Sequence, residues 1–343
     1  MKKHIHNLSA TGFLILFTLL PFYACSQKVV DNVDKKFDNI TSVNVEGSFC
    51  NVKISGEKRF DTSLKGEILS NKNYDIKIRY QKEGQTLKVW LDRPRSIRGQ
   101  VKGNITLKVP FNTNINVVNS SGNVLVENTG KADIKLTASS GNVSAKNIDS
   151  KIIATASSGN LYMEDITGDV HATTASGSVF ISAIKGDLYS VSSSGSQKIE
   201  GVKGNLKITS SSGSQMLNMI NGNVNSRASS GSIKAVQVNG NLTAVSSSGS
   251  IKLDNVTGVL NLTSSSGSQK GTKIKLTGSS SFKGVSGSIT MELLNSKDDL
   301  SFELKASSGS LYAKGSTGRD KLIISGGPIT VYGKTSSGSQ YYK

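Results

Sequence analysis

Gly177-Ser178-Val179-Phe180-Ile181-Ser182-Ala183-Ile184-Lys185-Gly186 is one half of a unit that recurs, with changes, through most of this 343-residue chain. Within it, apolar side chains stand two, four and seven places after the first glycine, at Val179, Ile181 and Ile184. Positions two and four point to the same side of a β-strand. The third apolar residue is displaced by one place, which indicates a bend before it. The same pattern follows Gly249.

A Ser-Ser-Gly-Ser signal, or a near variant, introduces each of these strands. The first interval between its glycines is 19 residues and the next seven are all 18, a period typical of a solenoid. The main glycines are Gly122, Gly141, Gly159, Gly177, Gly195, Gly213, Gly231, Gly249 and Gly267. A second glycine, usually followed by Asn or Asp, comes nine residues after most of them. Each unit therefore consists of two nine-residue halves, with Gly supplying a positive φ at the corners and Asn or Asp tolerating it.

We therefore predict an all-β chain that forms a parallel β-solenoid (β-helix) with 18-residue coils, for which right-handed winding is favoured. A Gly- and Ser-rich composition can also signal disorder, but apolar residues at fixed phase argue against it. The regular solenoid is predicted to span residues 119–290. Residues 40–118 are predicted to form a β-rich N-terminal cap or irregular first coils. Residues 291–343 are predicted to form irregular final coils and a C-terminal cap, which covers the last strand edges.

Two polar columns interrupt this pattern. The serine that precedes each main glycine, as at Ser176 and Ser194, falls on one corner of the predicted stack. A row of hydroxyls there can bond along the column or cap backbone groups at the turn. Gln197 and Gln215 occupy an inward position in consecutive coils. They form either an internal amide ladder or part of a strand that is twisted enough to expose them.

The first residues are typical of a secretory signal peptide, because Lys2 and Lys3 precede a short apolar run. That run is about half of the roughly 20 residues that a membrane-spanning helix needs. Apolar residues followed by Ala24-Cys25 resemble the lipobox of bacterial lipoproteins. The resemblance implies a signal peptide over residues 1–24, cleavage between Ala24 and Cys25, and acylation of Cys25. An anchor and short linker would then occupy residues 25–39. The alternative is an ordinary signal peptide that is cleaved nearby.

Cys50 is the only other cysteine. It alternates with Val52 and Ile54, so we predict that it faces the core as a small hydrophobic side chain. Its apolar setting does not suggest a reactive thiol, which needs a cationic and exposed environment.

The chain is strongly basic, with a formal net charge of +17 at pH 7. Its densest basic cluster contains Arg93, Arg95, Arg98 and Lys102 and is predicted to be a loop between two strands, where it could contact anions. Lys270, Lys273 and Lys275 form a second cluster. Such charge favours lipid head groups or acidic glycans as partners. Export and the lack of interleaved aromatic residues argue against nucleic acid. The alternative is a solvated surface that maintains solubility.

The residues of familiar catalytic and metal sites are missing or scattered. Asp169 and Asp187 align in consecutive units, but Asn takes their place afterwards, so a periodic calcium site is not expected. His171 is the only histidine outside the signal peptide and cannot form a zinc site alone. Residues 190–290 contain ten Lys or Arg but only Glu200 and Asp254 as acids. We therefore expect no cofactor and no enzymatic activity.

Taken together, the lipobox, the irregular β-rich start and the repeated Ser-Ser-Gly units resemble the putative-adhesin β-strand-repeat family. This is a group of bacterial envelope proteins with a domain of unknown function. The resemblance covers most of residues 40–340 and implies a parallel β-solenoid. It supplies no catalytic residues.

Three functions remain open at this point. The first is a lipid-anchored protein of the bacterial outer membrane, facing the periplasm or the outside, that acts as an adhesin-like binding module for glycans or for envelope or host proteins. The second is a structural spacer or scaffold in the envelope. The third, which the residues favour least, is a polysaccharide-active β-helix enzyme.

Overall fold

The structure is a computed structural model that describes residues 27–343. Two long β-sheets face each other, and the side chains between them form one continuous hydrophobic core. We call them sheet A, with 17 strands, and sheet B, with 16 strands. No helix within residues 27–343 is long and apolar enough to cross a membrane. Ala24 and Cys25, the predicted cleavage and acylation residues, lie outside the described residues.

The strands follow one another in a regular order along the chain, interrupted by a single short 3-10 helix at Lys297–Asp299. In chain order they are β1 Lys28–Asp38, β2 Ser42–Ser48, β3 Asn51–Glu57, β4 Asp61–Ser70, β5 Lys77–Glu83, β6 Thr86–Asp92, β7 Val101–Pro110, β8 Asn114–Asn119, β9 Val124–Thr129, β10 Ile134–Ala138, β11 Val143–Ile148, β12 Ile152–Ala156, β13 Leu161–Thr167, β14 Val170–Thr174, β15 Val179–Lys185, β16 Leu188–Ser192, β17 Gln197–Lys203, β18 Leu206–Ser210, β19 Gln215–Asn221, β20 Val224–Ala228, β21 Ile233–Asn239, β22 Leu242–Ser246, β23 Ile251–Gly258, β24 Leu260–Ser264, β25 Gln269–Leu276, β26 Ser280–Gly284, β27 Ile289–Leu293, β28 Leu300–Ser308, β29 Leu311–Ala313, β30 Ser316–Gly318, β31 Lys321–Ile324, β32 Ile329–Ser337 and β33 Gln340–Tyr342.

Each regular coil contributes one strand to each sheet, and like strands stack in parallel. Val179 pairs with Gln197 and Leu188 with Leu206, so both sheets repeat every 18 residues. The first regular step is one residue longer, because Val124 pairs with Val143. The predicted parallel β-solenoid with 18-residue coils is therefore confirmed.

The two sets of glycines are required for different reasons. A Cβ atom on Gly177 would lie 1.9 Å from the carbonyl oxygen of Gly159, so the main corner admits no side chain. The second glycines, such as Gly168 and Gly186, have φ of 151° and 156°. The prediction that glycine supplies a positive φ is thus confirmed for the second corner. It is wrong for the main corner, where close approach of successive backbones excludes a Cβ.

The bend predicted before the third apolar residue is a residue in the left-handed conformation. Ala183 has φ of 56°, Gln237 has 54° and the equivalent Gly201 has 68°. The strand ladder skips this residue on both strands, so Ser182 pairs with Glu200 and Ile184 with Val202. The skip turns the third apolar side chain back into the core.

Polar groups join the corners from one coil to the next. At the second corner, the backbone N–H of Asn205 donates to Asp187 Oδ1 at 2.7 Å. At the main corner, the buried Ser246 hydroxyl donates to the Gly231 carbonyl at 3.2 Å and accepts from the Gly249 N–H at 3.0 Å. The exposed serines that precede the glycines are joined through their backbones instead, as Ser176 is to Ser157. The capping role that we predicted for those serines is therefore taken by a buried column of small residues.

The inward glutamines are fully buried, so the prediction of an exposed twisted strand is wrong. They form no amide ladder either. Gln215 Nε2 instead donates across the core to the Arg227 carbonyl in sheet B at 2.7 Å, and its Oε1 accepts from the Ser226 hydroxyl. Gln197 Nε2 donates in the same way to the Thr209 carbonyl, while its Oε1 accepts from the Ser190 hydroxyl of the preceding sheet B strand. These glutamines therefore tie the two sheets together.

At the N-terminal end, the chain doubles back before the regular coils begin. β2 and β3 lie between β8 and β9 on one side and β6 and β7 on the other. β4 and β1 then continue sheet A beyond β7 as antiparallel strands, and β5 continues sheet B beyond β6. The antiparallel strands cover the end of the parallel stack.

Lys28–Asp38 forms β1, so the prediction of a linker over residues 25–39 is wrong for this part. The apolar Val30, Val33 and Phe37 pack against the core, but they stand three and four places apart. The register also shifts between Val29 and Asp31. A strand with this irregularity lacks the two-residue alternation by which strands are recognised.

At the C-terminal end, the last coil in sequence is not the last in space. β32 lies between β26 and β28, and β33 lies between β27 and β29. Its penultimate residue, Tyr342, is fully buried against Phe282 and Phe302, with ring centroids 5.8 Å and 5.6 Å away. This aromatic cluster locks the inserted coil to the strands on both sides of it.

We expect Gly195→Ala to destabilise the protein far more than Gly201→Ala. The new Cβ would lie 1.8 Å from the Gly177 carbonyl oxygen in the first variant, but no closer than 3.6 Å to any atom in the second. Overpacking predicts a loss of about 3 kcal/mol for Gly195→Ala, against about 1 kcal/mol for Ala at the positive φ of Gly201. Urea unfolding measures both values. Equal losses would contradict the close-contact explanation of the main corner.

Tyr342 should make the protein sensitive to alkali. Burial raises the pKa of the Tyr342 hydroxyl, so below its ordinary value of about 10 the group is neutral in both the folded and the unfolded chain. Above that pH only the unfolded chain loses the proton, and the free energy of unfolding falls by up to about 1.4 kcal/mol per pH unit. In Tyr342→Phe, the fall in the free energy of unfolding at alkaline pH should be smaller by this amount. Tyr332→Phe, which changes an exposed ring, should show the same fall as the wild type. Chemical unfolding at a series of alkaline pH values tests the difference.

Candidate ligand-binding face

One outward-facing row of side chains on sheet A combines aromatic and basic residues. Each lies three places after a main glycine or, at the C-terminal end, after the equivalent Gly287, Gly338 or Gly309. Each also lies between two buried positions, as Phe180 lies between Val179 and Ile181. Strand pairing places ten such residues side by side. We call this row the sheet A outer column: Tyr162, Phe180, Lys198, Met216, Lys234, Lys252, Lys270, Thr290, Tyr341 and Tyr312. At about 4.8 Å per strand, the column is roughly 43 Å long.

Stacked aromatic rings occupy both ends of the column. The rings of Tyr162 and Phe180 lie 5.1 Å apart and nearly parallel, at an angle of 7°. Tyr341 and Tyr312 lie 4.3 Å apart at 13°, and Lys343 Nζ stands 5.3 Å from the Tyr341 ring centroid. Because sheet pairing fixes their backbones, the rings present preformed apolar faces to solvent.

Lysines fill the middle of the column. Lys234, Lys252 and Lys270 lie on three successive strands, and Lys198 lies two strands before Lys234. Like charges directly opposite each other on a sheet are destabilising. Among the ion pairs of residues 27–343, none involves these four lysines.

The acids nearest to these lysines in sequence contact other residues. Asp254 Oδ1 accepts from the Thr272 hydroxyl at 2.8 Å, and Glu200 Oε1 accepts from Asn218 Nδ2 at 3.3 Å. Neither of these carboxylates forms an ion pair with a lysine of the column.

A shallow groove of about 260 Å³ lies at the Tyr162–Phe180 end of the column. Its walls include the aromatic pair, Lys198 and the ion pair Lys146–Glu164, whose atoms lie 3.0 Å apart. The hydrogen bond and charge of Glu164 raise the pKa of Lys146, so that lysine stays protonated. The groove thus combines apolar ring faces with charges of both signs.

The predicted basic loop joins β6 to β7 and carries Arg93, Arg95 and Arg98, but Lys102 lies in β7 and not in the loop. The side chains of Arg93, Arg95, Arg98 and Lys102 are all exposed, and no carboxylate within residues 27–343 pairs with them. Tyr74 fixes the backbone of this loop, because its hydroxyl accepts from the Arg98 N–H at 2.7 Å and donates to the Arg98 carbonyl.

The structure does not bring the basic loop and the lysine column together. Six strand intervals of sheet A separate β7 from β17, on which Lys198 lies. That separation is roughly 29 Å along the stack. Of the second predicted cluster, Lys270 belongs to the column, while Lys273 occupies the left-handed position of its strand with φ of 53°. Sequence reasoning missed the column as a unit. Comparison of the third position after each main glycine would have shown it.

The other residues considered in the sequence analysis make contacts within the fold. Asp169 and Asp187 accept backbone N–H groups at the second corner. His171 lies on the outer side of sheet B against the Tyr189 ring, 5.7 Å away. Within residues 27–343, no three His, Cys, Asp or Glu side chains are grouped to hold a metal ion. Cys50 is buried as predicted, and burial raises the pKa of its thiol to about 12.

These features define a two-sheeted parallel β-solenoid. The sequence matches the Toastrack DUF4097 family over residues 40–245 and 240–322, so the chain belongs to that family. Among curated proteins, none matches it significantly.

Several solved structures of bacterial proteins are similar to this chain. A "putative cell adhesion protein" from Clostridium sporogenes is 10% identical, covers 91% of this chain and 99% of its own, and has a TM-score of 0.22. A "putative lipid binding protein" from Parabacteroides distasonis is 15% identical, with coverages of 77% and 97% and a TM-score of 0.31. A "putative adhesin" from Bacteroides fragilis is 14% identical, with coverages of 93% and 99% and a TM-score of 0.22. The family membership rests on the sequence match rather than on these structures.

Proposed function

We propose that the chain is a non-enzymatic, adhesin-like binding module of the cell envelope, and that the sheet A outer column binds an acidic polysaccharide. The observation that carries this proposal is the row of unpaired lysines between two stacked aromatic pairs. A flat aromatic ring suits the apolar face of a sugar, and a row of ammonium groups suits its carboxylates or sulfates. Both kinds of group stand on one rigid sheet.

The chemistry of the ligand follows from the spacing of the column. A ligand that contacts both aromatic pairs must extend over roughly 43 Å, which favours a polymer over a small molecule. The lysines repel one another, and a polyanion along the row relieves that repulsion. Each exposed charge pair contributes little alone, so useful affinity requires several at once.

The first test compares two triple variants of the full chain on an array of acidic and neutral polysaccharides. Lys234→Ala, Lys252→Ala and Lys270→Ala together should weaken binding to an acidic polysaccharide about tenfold, because three exposed charge contacts are lost. The wild-type affinity should fall with added salt. The matched control replaces Lys283, Lys334 and Lys305, which lie on three successive strands of sheet B, also by Ala.

The control removes the same charge from the opposite sheet, so it should bind as the wild type does. If both triple variants lose the same affinity for the polysaccharide, the effect depends on the net charge of the protein and not on the column. Phe180→Ala should weaken binding without changing its salt dependence. If the wild-type chain binds no polysaccharide on the array, the binding-module proposal is wrong and the spacer hypothesis takes its place.

We further propose that Cys25 is acylated and anchors the protein in the outer membrane. The lipobox-like Ala24-Cys25 and the preceding apolar run support this. Cells that express the full chain should incorporate labelled palmitate into it, and Cys25→Ala should abolish the label. A Cys50→Ala chain is the control. It should remain labelled, because the Cys50 thiol is buried in the wild-type protein and is not expected to carry the label. Labelling of the Cys25→Ala chain would disprove the anchor.

A further inference from the structure

The corner from which the chain leads towards Cys25 is also the most basic corner of the stack. β1 is the outermost strand of sheet A, and it begins at Lys28. Lys28 pairs with Ser70 of β4, and Ser70 pairs with Val101 of β7. Because neighbouring strands are about 4.8 Å apart, Lys28 lies roughly 10 Å from the base of the loop that carries the arginines.

Six exposed cationic side chains belong to this corner: Lys28, Lys72, Arg93, Arg95, Arg98 and Lys102. Segment 71–74 is held against the loop, because Asn71 Oδ1 accepts from the Gln100 N–H at 3.0 Å and Tyr74 bonds the Arg98 backbone. A Cβ on Gly99 would lie 3.5 Å from Lys72, which places this lysine beside the loop. The cations are thus grouped on a preformed surface.

Three acids close to this corner contact groups other than its six cations. Asp92 pairs with Arg79 at 3.1 Å and Asp75 pairs with Lys77 at 3.2 Å. Asp31 Oδ2 accepts the Ile78 N–H at 2.7 Å. Within residues 27–343, the six cations form no ion pairs and outnumber the nearby acids Asp31, Glu67, Asp75 and Asp92, so the corner is net positive.

The length of chain before β1 sets how far this corner stands from a bilayer. Cys25 precedes Lys28 by three residues, which span at most about 10 Å. With Cys25 acylated, the base of the loop is held within roughly 20 Å of the membrane surface even when the chain is fully extended. Arginine side chains that come within the Debye length of about 8 Å of the surface are attracted by its anionic head groups.

We propose that this corner, formed by Lys28, Lys72 and the segment from Arg93 to Lys102, binds the anionic lipid head groups of the membrane that holds the Cys25 anchor. The inference rests on the proposed acylation of Cys25. The lipid chains on Cys25 and the basic surface then act together in membrane attachment. Each basic residue near an anionic surface strengthens attachment roughly fivefold.

The test uses the full acylated chain in vesicles of phosphatidylcholine, with or without phosphatidylglycerol, that carry a quencher on their head groups. A fluorophore on Ser96→Cys reports contact of the loop, and one on Ser316→Cys reports the opposite end of the stack. The buried thiol of Cys50 stays unlabelled in the folded protein. We expect phosphatidylglycerol to increase quenching at position 96 severalfold and not at position 316.

Replacing Arg93, Arg95 and Arg98 together by Gln should return quenching at position 96 to its value in pure phosphatidylcholine. Replacing Lys283, Lys334 and Lys305 together by Ala removes equal charge from sheet B and should leave the quenching high. Equal quenching in both lipids, or in the arginine variant, would overturn the membrane contact. Flotation with pure phosphatidylcholine vesicles reports the anchor separately. If the protein floats with neither kind of vesicle, both the anchor and the membrane contact are wrong.

Discussion

The stack depends on the contact between successive main glycines. The carbonyl oxygen of Gly159 occupies the space that a Cβ of Gly177 would need, and the same contact recurs at each later corner. This approach sets the distance between coils at the value that the strand hydrogen bonds require. A side chain at one corner would hold two coils apart and weaken the ladders of both sheets. The repeated Ser-Ser-Gly-Ser signal is therefore a packing requirement and not a chemical motif.

Once the corners are fixed, every other position in a coil has a defined direction. Inward positions are filled by apolar residues or, where Gln197 and Gln215 stand, by amides that bond across the core to sheet B. A small buried residue ends each sheet B strand and can bond the corner glycines of two coils. The Ser246 hydroxyl, for example, bonds the Gly231 carbonyl and the Gly249 N–H. Outward positions carry no such demand. A row of like charges such as Lys234, Lys252 and Lys270 opposes stability, so the fold itself does not require it.

Local patterns predicted the regular part of the molecule and failed at its ends. The spacing of Val179, Ile181 and Ile184 was enough to predict both the strand and its bend, because those residues interact within one repeat. The insertion of β32 between β26 and β28 joins residues about fifty places apart in sequence, and no local pattern records such a pairing. β1 was missed for a related reason, since it pairs with β4 through a shifted register. The lysine column was present in the sequence, but only the strand register shows that its members are neighbours.

The fold also separates the two basic surfaces that the proposals use. The loop that carries Arg93 lies at the N-terminal end of the stack, where β1 begins, while the first lysine of the outer column lies roughly 29 Å further along. That separation exceeds the Debye length of about 8 Å at physiological salt, so the electrostatic interaction between the two surfaces is largely screened. An anionic membrane at one end can therefore be bound without competing for the column. Because the proposed anchor and the basic corner share that end, the two proposed contacts would leave the sheet A outer column open to an extended ligand.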